Sequence, residues 1–147
     1  MPDAAANQAL ASAVSEVLET MFFACVYAET AASEEGGRLE ARLRFSGGRQ
    51  GEFRLGISAD AARSIAAGFL GVEESEVGAV QVGDVVCEVA NMICGSVLSH
   101  VGADLAYDLH PPRLVEPGEA AATPPFRVRS FDLGNGTLTA GIRFEPS

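Results

Sequence analysis

Residues 4–24 place Leu10, Val14, Val17, Leu18, Met21 and Phe22 at three- and four-residue spacing, which predicts a helix with one apolar face. The period then changes. Residues 25–30 are β-prone, and AASEEGG at 31–37 reads as a turn. Leu39, Ala41, Leu43 and Phe45 alternate with Glu40, Arg42 and Arg44, the two-residue period of a half-buried strand. SGGRQ at 46–50 is a tight connection, and GEFRLGIS at 51–58 completes a hairpin. Ser58 is placed to cap a second helix and Asp60 suits its first turn. Ala62, Ile65, Ala66 and Phe69 face inward, and Gly71 is the stop after Leu70.

A third and longest helix spans about 76–101, begun by Ser75 or its acidic neighbours and buried along Val82, Val86, Val89, Ile93 and Val97. His100 near its end favours the helix C-terminus. Residues 106–109 form a short strand ahead of Pro111 and Pro112, and EPGEAAATPP at 116–125 is an irregular loop. Two last strands, about 126–132 and 137–144, flank Gly134-Asn135-Gly136, a strong hairpin signal. The order α-β-β-β-α-α-β-β-β predicts a single α+β domain over 1–147, with a mostly antiparallel sheet packed against helices, one of them long.

Composition narrows what such a domain does. With 48% apolar and 7% aromatic residues and no Trp, the core is aliphatic and Ala-rich. The net charge of −10 argues against nucleic acid or an anionic membrane as partner and suits a protein partner with a basic or metal-bearing site. All ten basic residues are Arg. The lack of Lys removes P-loop, Schiff-base and kinase-type ATP chemistry. Cys25, Cys87 and Cys94 are too few and too scattered for a disulfide framework, and the last two read as buried thiols rather than a redox pair. No signal peptide and no stretch of membrane-spanning length is evident, so the expected setting is a reducing cytoplasm.

One polar pattern stands out on the third helix. Asp84, Glu88 and Asn91 follow D-x3-E-x2-N, and steps of four and three hold them within about 60° of arc. Gly95 continues the stripe with no side chain. Any surface helix has a polar face, so a merely solvated stripe is the plain alternative. Against it stand Asn91 and Gly95, two poor helix formers one turn apart, which lower helix stability at adjacent points of one face. Other candidates are weaker. His100 and His110 have no nucleophile motif beside them, no metal-ligand spacing is present, and the Gly-Asn-Gly of the hairpin does not lead into a helix.

Glu88-Val89-Ala90-Asn91-Met92-Ile93, led by Asp84 and followed by Gly95, resembles the signature helix of the CheX/CheC/FliY phosphatases of bacterial chemotaxis. SEVLETMF in the first helix and LGISADAARSIAAGFLG before the motif are similar to CheX in particular. Only one copy of the motif is present, because helix 1 has Glu19 but Phe22 where Asn would be needed; CheC carries two. The family pattern also has a Pro some two dozen residues on, and Pro111 and Pro112 come somewhat earlier. The resemblance implies a CheC/CheX-like fold and, as substrate, the aspartyl phosphate of a CheY-like response regulator. It gives Asn91 the part of positioning a water, Glu88 that of meeting the receiver's phosphate-binding lysine, Asp84 a docking role, and Gly95 that of admitting the partner. No cofactor of the chain's own is implied, and Mg²⁺ is expected on the receiver. A homodimer built through the sheet is implied as well, for which the final strands, with Phe126, Arg127, Val128 and Arg129 alternating, offer an edge. Two other readings remain: a module that binds a receiver domain or the flagellar switch without hydrolysis, and a structural domain with an incidental polar stripe.

Overall fold

A computed structural model of the chain describes residues 2–30, 38–102, 106–116 and 127–145. The turn expected at 31–37 and most of the loop at 116–125, with Phe126, lie outside the described residues.

Among the described residues, three α-helices and seven strands follow one another as α1 (Pro2–Met21), β1 (Ala28–Thr30), β2 (Arg38–Gly47), β3 (Gly51–Ser58), α2 (Ala59–Leu70), α3 (Ala79–Val101), β4 (Tyr107–Leu109), β5 (Arg113–Leu114), β6 (Arg127–Asp132) and β7 (Thr137–Phe144). The strands form one sheet in the order β1-β6-β7-β3-β2-β4, with β5 also on β2, and every pairing among the described residues is antiparallel. The fold is therefore α+β, as its sequence pattern predicts.

The two-residue period decides which face of the sheet is buried. Ala41, Leu43 and Phe45 of β2, Phe53, Leu55 and Ile57 of β3, and Leu138, Ala140 and Ile142 of β7 point to one side and are buried there beneath the helices. The opposite face is polar, and several of its charges are paired, within a strand or between neighbours. Arg44 meets Glu145 at 2.6 Å and Glu52 at 3.7 Å, and Arg42 meets Glu40 at 2.6 Å. At the β1 edge Arg129 clasps both carboxylate oxygens of Glu29 and donates to the Asn7 carbonyl of α1 at 2.8 Å. The Arg129 guanidinium holds the Glu29 carboxyl below the usual carboxylate range.

Helix boundaries differ from the pattern in instructive ways. Gly71 ends α2 as expected, in the left-handed conformation at φ 71°. Ser58 occupies the N-cap position of α2, but its hydroxyl accepts the Thr137 N–H at 2.9 Å instead of capping, because β7 runs close beside it. The third helix starts later than expected. Glu74–Glu76 form a separate 3₁₀ turn, Val77 is buried in extended conformation, and α3 begins only after Gly78, whose N–H bonds the Gln81 side chain at 2.9 Å. Phe69, expected inward, is 43% exposed and rests one side of its ring against Phe22, with ring centres 5.0 Å apart.

Two further corrections concern edges and spans. The two-residue strand β5 is too short to show a period in the sequence. β6 is not an outer strand. β1 pairs with its Ser130–Asp132 end, so the sheet's outer strands are β1 on one side and β4 and β5 on the other. By length and composition α3, at 23 residues, does reach what a membrane span needs, but its apolar side is buried against the sheet and α1.

Gly51 sits where β2, β3 and β7 converge. A Cβ there would lie 2.1 Å from the Arg143 carbonyl oxygen and 2.6 Å from the Phe45 ring. At Gly56 the nearest obstacle is the flexible guanidinium of Arg38 at 3.2 Å. Gly51→Ala is expected to lower unfolding free energy by about 1–3 kcal/mol or more, and Gly56→Ala by less than about 1 kcal/mol. Urea denaturation of the two variants checks the contrast.

Candidate functional site

The position of α3 follows from its buried side. Val82, Val86, Val89, Ile93 and Val97 are all buried, as their spacing predicts, and the helix is clamped between α1, α2 and the sheet. Its free side is then fixed. Asp84 and Glu88 are exposed, and Asn91 and Gly95 are half-buried on the same strip of surface. A rise of about 1.5 Å per residue puts Asp84 and Asn91 about 10 Å apart along the axis. All four residues singled out from the sequence are thus brought together.

Among the described residues, none hydrogen-bonds or forms an ion pair with the side chain of Asp84, Glu88 or Asn91. Asn91 in particular makes no bond back to the helix, the usual fate of such a side chain in a helix interior. Its amide keeps both donors and its acceptor unengaged among the described residues. Gly95 is not small because the interior requires it: a methyl there would have a single neighbour within 4 Å, the Leu109 Cδ2 at an ordinary 3.9 Å.

Two walls flank the strip. On one side run β4 and β5, with His110, Pro111 and Pro112 between them. Leu109 faces Gly95, and Leu114 presses so closely on Gly83 that a methyl there would lie 2.7 Å from its Cδ1. The His110 N–H bonds the Arg44 carbonyl at 2.8 Å, tying this segment to β2. On the other side the end of α2 and the first half of α3 enclose a hollow of about 270 Å³, lined by Phe69, Leu70, Gln81, Asp84, Val85 and Glu88. The strip also extends one turn earlier than the sequence reading placed it. Val80, four residues before Asp84, is 78% exposed. The four-residue spacing itself was the signal that places Val80 on this face.

The remaining candidates disperse. His100 Nδ1 lies 2.7 Å from the Ser96 carbonyl, a local contact within the last helical turn. Among the described residues no group of His, Cys, Asp and Glu is arranged to hold a metal ion. Cys94 is buried, Cys87 half-buried and Cys25 exposed, and all three are free.

Residues 40–132 match the family model described as Chemotaxis phosphatase CheX. The chain belongs to this family. The matched segment runs from β2 to the end of β6 and includes all of α3. CheX from Vibrio vulnificus has the same fold at 21% identity, with 94% of this chain and 95% of that one covered and a TM-score of 0.74. CheX from Desulfovibrio desulfuricans is similar at 17% identity, 95% and 99% coverage and a TM-score of 0.73. The structure of the CheX-CheY-BeF3-Mg²⁺ complex from Borrelia burgdorferi matches at 17% identity, 95% and 97% coverage and a TM-score of 0.72. No curated protein sequence matches the chain.

In this CheX-family chain the cysteines report on the strip. Cys87 lies three residues after Asp84 and four before Asn91. Burial first, and the Asp84 carboxylate second, push its thiol up from the ordinary value. Burial alone pushes Cys94 up to about 12. With iodoacetamide at mildly alkaline pH, Cys25 is expected to be alkylated first and Cys87 slowly, whereas Cys94 reacts only on unfolding. Asp84→Asn removes a negative charge that opposes the thiolate, so it is expected to speed labelling of Cys87 and leave Cys25 unchanged. Mass spectrometry of each cysteine peptide checks both statements.

Proposed function

We propose that this CheX-family protein is a phosphatase that hydrolyses the aspartyl phosphate of a CheY-like response regulator in the cytoplasm. The observation that carries the reading is the pair Glu88 and Asn91 on one face of α3, both without hydrogen-bond or ion-pair partners among the described residues. A solved relative of this fold in complex with CheY, BeF3 and Mg²⁺ gives it further support.

An acyl phosphate is already activated, so the phosphatase has only to place a water in line with phosphorus. The water oxygen bonds to phosphorus as the bond from phosphorus to the aspartyl oxygen breaks. The aspartate carboxylate is regenerated on the receiver, inorganic phosphate leaves, and the water's proton passes to phosphate or solvent. The Asn91 carboxamide suits the task because it accepts and donates hydrogen bonds and brings no negative charge towards the phosphoryl oxygens. A carboxylate in its place would repel them.

Glu88, one turn back, meets the receiver's phosphate-binding lysine and fixes the helix over the phosphate. Asp84 lies at the outer end and adjusts docking. Gly95 presents bare backbone and lets the partner approach. The receiver supplies the lysine and Mg²⁺ that neutralise the phosphoryl oxygens, so a cofactor and a covalent intermediate on this chain are unnecessary. In the homodimer that the resemblance implies, the strands free to extend the sheet are β1 or β4 and β5.

The test is the decay of phosphate on a phosphorylated CheY-like receiver. Wild type is expected to shorten its lifetime, and Asn91→Ala to lose about a hundredfold or more of that effect while still binding the receiver. Glu88→Ala is expected to weaken binding. An unchanged lifetime with wild type ends the phosphatase reading and leaves a binding module. Equal shortening by wild type and Asn91→Ala removes Asn91 from the chemistry.

A further inference from the structure

The strip has an apolar shoulder that water positioning does not use. Phe69, Leu70 and Val72 at the end of α2 are 43%, 40% and 41% exposed, and Val80 at the start of α3 is 78% exposed. Scattered apolar residues on a surface need no explanation, but Phe69 and Leu70 line one hollow beside the proposed site, Val72 follows them in the chain, and Val80 directly precedes Gln81 of the same lining. The hollow's walls are held in place. Arg63 of α2 donates to the Val77 carbonyl at 2.6 Å and the Glu74 carbonyl at 3.3 Å, fastening the 3₁₀ turn and the approach to α3 onto α2. The Phe69 ring is backed by buried Phe22.

Charge indicates what kind of partner fits. Glu73, Glu74 and Glu76 stand in the segment between α2 and α3, and Asp84 and Glu88 belong to the hollow's own lining. An apolar seat rimmed by carboxylates favours an apolar group flanked by cations. Glu88 connects the two regions, since it lines the hollow and also belongs to the strip. A lysine of the partner that reaches Glu88 therefore brings its neighbouring residues over Phe69 and Leu70.

We propose that the hollow, together with Val80, is the part of the docking face that selects among response regulators. It takes one apolar side chain of the receiver adjacent to the phosphate-binding lysine, between Phe69 and Leu70 on one side and Val85 on the other. This inference rests on the phosphatase reading above. It divides the face in two: Asn91 acts on rate, and the shoulder acts on which receiver is held and how tightly.

The experiment uses the CheY-like regulators encoded in the same genome, loaded with beryllofluoride and Mg²⁺ for binding and phosphorylated for turnover. The regulator that wild type dephosphorylates fastest serves as the reference. Leu70→Ser and Val80→Ser alter exposed side chains, and thermal unfolding confirms that each variant keeps its fold. Each is expected to raise Kd and KM about five- to tenfold and to leave kcat within about twofold. Leu70→Met, which keeps apolar bulk, is expected to restore the wild-type Kd. Asn91→Ala is expected to show the reverse split, with kcat lost and Kd kept. Unchanged Kd and KM in both Ser variants overturn the proposal and leave the phosphatase reading standing. So does a loss in Leu70→Met equal to that in Leu70→Ser, or a fall in kcat at constant Kd. A wild-type protein that neither binds nor dephosphorylates any of these regulators overturns both readings together.

Discussion

The azimuth of α3 is the constraint on which the site depends. Val82, Val86, Val89, Ile93 and Val97 are between 5% and 0% exposed, and each such burial contributes about 1.5–3 kcal/mol. Slipping the helix by one residue turns it by about 100°. That would bring these side chains into water and carry Asp84 and Glu88 toward the core. The direction in which the two carboxylates and the carboxamide point is thus set from behind, by hydrophobic burial. Against that, an Asn and a Gly in the helix interior cost about 1 kcal/mol or less apiece, a small penalty that the buried side absorbs.

The distribution of charge follows the same logic. Arg42, Arg44 and Arg129 are engaged with Glu40, Glu52, Glu145 and Glu29 on the sheet and at its edge. The carboxylates of the α3 strip have no such partners among the described residues. A chain carrying −10 overall therefore leaves uncompensated negative charge along this face of α3. Exposed ion pairs contribute little to folding.

Much of this was legible from periodicity. The β2–β3 hairpin, the stop at Gly71, the buried stripe of α3 and the final hairpin all read directly from spacing, because each element is amphipathic over several repeats. The strip of Asp84, Glu88, Asn91 and Gly95 was legible for the same reason. What escaped depends on contacts between elements distant in sequence. Ser58 looks like a cap until Thr137 of β7 arrives at its hydroxyl. Phe69 looks like core, but Phe22 already fills the interior at that point and leaves the Phe69 ring partly outside. β5 is two residues long and shows no period at all. The place of β6 within the sheet is decided by β1, a three-residue strand whose pairing spacing does not announce. Val80 is apolar on a face otherwise marked by polar groups, so its exposure is decided by the fold and not by its residue type.

Phe22 carries a consequence for the history of such a chain. Glu19 at the end of α1 is exposed, while the position three residues on, where a second copy of the motif would need its amide, is a phenyl ring buried to 2% exposure. That ring supports Phe69, which forms one wall beside the remaining site. A change of Phe22 to Asn would bury an amide, open a void in the core and loosen the neighbouring wall at once. A second motif-bearing face is therefore not one mutation away. The aromatic that closes off the first helix keeps the chain at a single copy of the motif, the one on α3.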